Sequence, residues 1–331
     1  MGKNTDPATE KGAGSDQIVT GPAEGEPIVI RSGFYARSFR AKDIGPAMDP
    51  LVLIDHYVMT EDTFGTHPHA GLSAVSLLLP DSEGRFHNRD SLGNDFDLLP
   101  GDLYWLKAGR GAIHNESPRK DSRIHGLQVF VNVPREFRYE EPSSLLVRQQ
   151  DMPMLSNSQH SVRVAMGESN GVAGAKSPGL PMTILYGRLV HNGSFEHKLT
   201  SGRNAWIHAI DGEIDVAVSE NDARLRKGQA IAIDNSGSGE SITLRVSASN
   251  HSQAQFALLD GQAIKEPFVQ RGPFVMSSTD EIEAINQAFD EGRFGSIARN
   301  GLVNSSRSSP RDCSRIGHSD LTFDSRNAAP D

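Results

Sequence analysis

Cys313 is the only cysteine in 331 residues, so no disulfide can form between two of them and no core is stapled by one. The cytoplasm is the expected location. Long apolar runs are also missing. No stretch approaches the roughly 20 residues that a membrane-spanning helix needs. The opening MGKNTDPATEKGAGSDQ lacks the apolar segment of a secretory leader. No membrane association is expected. Clustered positive charge is absent as well: the formal net charge is −9, with no block of Lys or Arg to meet a phosphate backbone. Direct nucleic-acid binding is therefore disfavoured. Hydrophobic residues make up 37% and aromatics 6%, low for a wholly packed chain, which places part of the length in unpacked tails.

The length suits two domains, and the texture suits strands. Between Ile28 and Val133 come short Val, Ile, Leu and Phe-rich runs, LVLI at 51–54, AVSLLL at 74–79 and LQVFVN at 127–132, each of strand length. DSEG, SLGND, LPGD and KAGRG punctuate them as turns. With no helical periodicity before the C-terminal third, the fold class is all-β, a sandwich or barrel. MTILYGRLV, AWIHAIDGEIDVAVS, AIAID and SITLRVS repeat that texture, with a hairpin candidate at Asp211-Gly212. The same fold occurring twice is expected. Ser278 and Glu281 form a capping box ahead of Ile282, Ile285 and Phe289, which predicts one short C-terminal α-helix ending near Gly292. The expected divisions are a disordered tail at 1–25, a first domain at 26–143, a linker at 144–181, a second domain at 182–299 and a disordered tail at 300–331.

Residues i and i+2 of a strand project from one face. His67 and His69 in THPHAG can therefore point together into a barrel, and His114 and Glu116 in IHNES share that spacing directly after a Gly-rich turn. Three imidazoles and a carboxylate suit Fe, Mn, Ni, Cu or Zn, and an octahedral ion would keep two positions open. One H-x-H pair alone is more often a packing accident. Two such pairs, separated by a barrel-sized run of strands, favour a metal site. His56, His87 and His125 read as structural, with His125 the candidate for holding a ligand's far nitrogen. Trp105, Leu127, Gln128 and Val129 flank the ligand segments and are candidates to line a substrate pocket, with core packing the alternative for Trp105 and Leu127.

MDPLVLIDHYVM, FGTHPHAG, NRDSLGN, PGDLYWLKAGRGAIHNE and HGLQVFVN resemble the N-terminal cupin of the pirin family, and KEPFVQRGPFVMSSTDEIEAINQAFDEGRFG resembles the C-terminal pirin segment. The resemblance spans about residues 27–297. It implies two cupin jelly-roll β-barrels, a metal-binding one at 26–143 and a second at 182–299, with one divalent metal per chain held by His67, His69, His114 and Glu116. Fe(II) is the first expectation, with Mn, Ni, Cu or Zn as alternatives. Better-known members read H-P-H-R-G-F-E-T where this chain has Ala70, Leu72, Ser73 and Ala74, so the pocket's Arg and Glu are lost. Trp206-Ile207-His208 stands where a second H-x-H pair would lie, and KGQAIAID carries no histidine; the second barrel is expected to be metal-free. By resemblance the function is that of a quercetin 2,3-dioxygenase-type oxidoreductase. It would open a flavonol or related ring with O₂ at the metal, with Glu116 taking the substrate's hydroxyl proton. The alternative is a non-enzymatic, redox- or metal-responsive regulator that binds a protein partner.

Overall fold

A computed structural model describes residues 18–297 apart from 238, 250 and 251. The expected tail at 300–331 lies outside these residues, as do residues 1–17. Alternation makes the strands: in Phe34–Arg40, Phe34, Ala36 and Ser38 are buried while Tyr35 faces out, a period of two that only extended backbone satisfies. The first half runs through β1 (Ile18–Val19), β2 (Glu26–Ile30), β3 (Phe34–Arg40), β4 (Leu51–Met59), β5 (His67–His69) and β6 (Leu72–Leu78). It continues through β7 (Phe86–Asp90), β8 (Asp95–Leu98), β9 (Leu103–Lys107), β10 (Ala112–Pro118), β11 (Ile124–Asn132) and β12 (Ser143–Val147). One sheet has the order β12-β9-β6-β11-β4-β3-β2 and the facing one β5-β10-β7-β8, which together form the first jelly-roll barrel.

The second barrel repeats this plan. Its larger sheet sets Ala230–Asp234, Arg203–Asp211, Ala254–Gln262, Met182–Leu189, His160–Met166 and Met154–Ser156 side by side. Its smaller sheet holds Ser194–Leu199, Ile242–Ala248, Ile214–Val218 and Asn221–Leu225. The fold class expected from the sequence is therefore the one observed.

Four expectations need correction. The tail at 1–25 is not loose over its described part. β1 lies on the edge of the second barrel, with Val19 opposite Ile233 and Ala23 bridged to Ala230. Edge pairing uses backbone groups, so a segment poor in apolar residues can still dock. The stretch 144–181 is not a linker either. β12 belongs to the first barrel, and Met154–Ser156 and His160–Met166 belong to the second. Asp211-Gly212 does not close a hairpin, because the strands on its two sides join different sheets.

The fourth correction concerns the C-terminal end of the second domain. Residues from Phe268 on pack on the first barrel. A hairpin of Val269–Arg271 and Phe274–Met276 bridges Phe274 to Ala70. The helix Thr279–Asp290 follows, buries Ile282 and Ile285, and is capped as expected by Ser278, whose side chain accepts from the Glu281 amide. Each such buried side chain contributes roughly 1.5–3 kcal/mol. Gly71 and Gly111 permit the approach: a Cβ at Gly71 would lie 1.9 Å from the Val275 carbonyl oxygen, and one at Gly111 would lie 2.2 Å from the Phe294 ring.

The two large sheets share one core. Val75, Trp105, Leu127 and Val129 from the first meet Ile184, Trp206 and Leu259 from the second. Through this interface runs a chain of imidazoles. His208 Nδ1 faces the Gln229 carbonyl at 3.0 Å, His208 Nε2 lies 2.9 Å from His56 Nδ1, and His56 Nε2 lies 2.7 Å from His125 Nε2. His125 Nδ1 ends the chain on the Asp81 carboxylate at 2.8 Å. The Gln229 carbonyl can only accept, so His208 Nδ1 carries the proton and the neutral His208 accepts at Nε2 from His56 Nδ1.

Candidate metal centre

Antiparallel pairing of β5 with β10 sets His67 opposite His114 and His69 opposite Ala112. Both i, i+2 pairs therefore open into the first barrel. His114 Nε2 lies 3.0 Å from His69 Nε2 and 2.9 Å from His67 Nε2. The three form the metal-capable cluster found among the described residues.

The outer nitrogens of two of them are engaged. His67 Nδ1 sits 3.0 Å from the Gly65 carbonyl and His69 Nδ1 3.2 Å from the Pro273 carbonyl. A carbonyl only accepts, so each Nδ1 bears the proton and each Nε2 presents a lone pair inward. Burial lowers the pKa of all three, His69 to about 3, which keeps the imidazoles neutral. Converging lone pairs, with at most one proton from His114 to share, repel one another unless a cation lies between them. The donor set fits a divalent metal.

Glu116 lies on the same wall, opposite Asn88 of β7. It is outside the tight three-histidine group, with Oε2 3.9 Å from His114 Nδ1. Oε2 accepts from Ser76 Oγ at 2.8 Å and Oε1 is buried without a partner. Burial raises its pKa to about 7.

These groups open onto a cavity of about 400 Å³. Its walls are largely apolar, with Phe34, Met59, Phe64, Phe86, Phe130 and Phe289 among them, and Gln270–Phe274 of the C-terminal hairpin cover one side. Of the four pocket candidates, Gln128 lines this cavity. Trp105, Leu127 and Val129 do not: all three lie in the core between the barrels. Strand alternation is the reason, since Leu127 and Val129 flank Gln128 and must face the other side of β11.

His125 is likewise not behind a ligand, being tied to Asp81 and His56, and His87 pairs with Asp95 near the surface. The group that does hold His69 is the Pro273 carbonyl, 204 residues away in sequence, which no local pattern could reveal. Asp55 and Ser76 were also missed. Their signal is polar residues inside apolar runs: Asp55, next to His56, in LVLIDHYVM and Ser76 in AVSLLL. Ala70, at the position where better-known members carry Arg, is fully buried and clusters with Phe274 of the hairpin.

Two jelly-roll barrels, the first enclosing three convergent imidazoles, define a bicupin of the metal-binding kind. Family models for pirin and for the pirin C-terminal cupin domain match residues 33–131 and 184–295. The chain belongs to the pirin family. Pirin of Rattus norvegicus is 30% identical over 240 residues, covering 72% of this chain and 80% of that protein. A pirin-like protein of Caulobacter vibrioides is 30% identical over 283 residues, covering 82% and 96%. A quercetin 2,3-dioxygenase from Acinetobacter baumannii shares the fold with TM-score 0.72 at 23% identity, covering 85% of this chain and 98% of that one. The bacterial pirin YhhW of Escherichia coli, solved in complex with nickel(II), does so with TM-score 0.55 at 18% identity, covering 75% and 99%.

Proposed function

We propose that the chain is a mononuclear dioxygenase of the quercetin 2,3-dioxygenase type, acting on a flavonol or related hydroxylated aromatic. His67, His69, His114 and Glu116 would hold one Fe(II). The observation that carries this reading is the convergence of three neutral imidazoles on one point inside an aromatic-walled cavity, beside a carboxyl group with a free oxygen. When bound, the metal supplies Lewis acidity and the capacity to engage O₂.

The protein's own share is proton handling and exclusion of water. Glu116, a buried carboxyl beside the imidazoles, is placed to take a phenolic proton. Ser76 steadies one oxygen of Glu116 and leaves the other free. The apolar walls hold a planar ring and keep water out.

Oxygen uptake by iron-loaded protein on addition of quercetin tests the reading. Consumption that disappears in Glu116→Gln is expected. The regulatory alternative predicts no uptake, with partner affinity that follows the metal's redox state.

A further inference from the structure

A row of polar side chains crosses the large sheet on one level, and its middle members Asp55 and Gln128 line the cavity. Ser38 of β3 faces Asp55 of β4, Asp55 faces Gln128 of β11, Gln128 faces Ser76 of β6, and Ser76 faces Tyr104 of β9. The neighbouring rows are mostly apolar: Ala36, Tyr57, Gly126 and Leu78 on one side, and Leu53, Phe130, Ala74 and Leu106 on the other, with Arg40 at the β3 end. Opposed residues in a sheet stand within side-chain reach, so the row is a continuous polar strip in a greasy wall.

One end of the strip is engaged. Ser76 Oγ lies 2.8 Å from Glu116 Oε2 and 3.0 Å from Gln128 Oε1, and the Tyr104 hydroxyl donates to Asp90. The other end is open. Asp55 lines the cavity, and its Oδ1 is buried with no hydrogen-bond partner. Burial raises its pKa to about 6, which still leaves it mainly ionised at neutral pH. Oδ1 keeps no partner although the Ser38 hydroxyl opposite and the more distant Arg40 charge favour the ionised carboxylate, and an unmatched buried acceptor costs about 1–3 kcal/mol until a donor reaches it. Asp55 stands two strand spacings, about 10 Å, from Ser76 and the Glu116 end of the strip, a span that suits a multi-ring aromatic molecule.

We propose that Asp55, backed by Gln128, is a second polar subsite of the cavity. It accepts a hydrogen bond from a phenolic hydroxyl at the end of the ligand away from the histidines and so determines which aromatics are bound. The identity of the ligand's metal-side edge rests on the flavonol reading above; the donor requirement at Asp55 does not.

Two titrations separate these ideas. Metal-loaded, full-length protein is titrated with quercetin and with 3-hydroxyflavone, which keeps the metal-binding hydroxy-ketone edge and lacks the other hydroxyls. Wild type is expected to bind quercetin about tenfold more tightly, and Asp55→Leu to shrink the ratio to about twofold by weakening quercetin alone. Chelator-treated protein is then melted with phenol and with its methyl ether, anisole. Phenol is expected to stabilise wild type more than anisole, and Asp55→Leu to erase that advantage. Replacing a buried carboxylate by leucine should not unfold the chain; if it does, Asp55→Asn, which loses the anionic acceptor, is expected to shift both comparisons in the same direction.

Failure of 3-hydroxyflavone to bind, with phenol's Asp55-dependent advantage intact, removes the flavonol reading and leaves the subsite standing. Equal stabilisation of wild type by phenol and anisole, or a preference for either hydroxylated probe that survives Asp55→Leu, overturns the subsite.

Discussion

At the scale of single residues, Glu116 is the most telling side chain. Glu116→Gln keeps the volume but removes the anionic donor and the proton acceptor. Metal occupancy is therefore expected to fall, and any flavonol turnover to fall further, by about 10²-fold or more. Its titration gives a second, independent test. In metal-free protein the carboxyl pKa rises from 4.5 unfolded to about 7 folded, so the folded state holds the proton more tightly. That contribution to stability is fully present below about pH 4.5 and is lost as pH rises through about 7, up to roughly 3 kcal/mol. Chelator-treated wild type should therefore lose stability more steeply than Glu116→Gln between about pH 5 and 7.5, as read from denaturant midpoints; parallel curves would contradict the buried, high-pKa carboxyl. The His67/His69 and His114/Glu116 pairs are legible in the sequence because a strand's period of two turns i, i+2 spacing into a shared face. Gln128 is separated from Leu127 and Val129 by the same rule. Which face of β11 looks inward depends on its registry with β4 and β6, and that is not written locally.

Among the elements, the C-terminal hairpin has the largest unexpected role. It closes one side of the cavity and supplies the carbonyl that holds His69. Gly71→Ala puts a side chain on a residue with φ +74° and into the Val275 carbonyl oxygen. A loss of about 2–4 kcal/mol in stability is expected, together with weaker metal binding as His69 loses its partner. Thermal melts and metal content of one preparation check both; lost stability with unchanged metal affinity would show that the hairpin does not position His69. Ser278→Ala is milder. It removes only the helix cap and should cost about 1 kcal/mol. The helix itself is readable in the sequence because capping and periodicity are local signals. Its docking on the first barrel is not, since that depends on small residues at Ala70, Gly71 and Gly111 meeting a segment from the far end of the chain.

For the molecule as a whole, the two barrels are tied by a shared core, by β1 and by the imidazole chain. Removing residues through Gly25 deletes the pairing of β1 and Ala23 with Ala230–Asp234, and a fall of a few degrees in Tm is expected. Burial lowers the pKa of His208 to about 3 and that of His56 well below its usual value. Their neutral forms are thus preferred in the fold, and the stability they contribute is full above about pH 6.5 and lost as pH falls from there toward 3. His208→Leu should be less stable than wild type at pH 7.5, by about 1–3 kcal/mol, with the gap narrowing in acid. The repeat of one fold is visible in the sequence as repeated texture. The unequal use of the two copies rests on where the histidines fall: three converge in one barrel, while His208 is spent on the interface. The central claim is that this convergence holds the metal. Its most direct test is the metal content per chain of wild-type protein and of His114→Ala after identical loading and desalting. One metal per wild-type chain and almost none in the variant is the result the structure predicts; a content near two, or a variant that keeps its full complement, would contradict it.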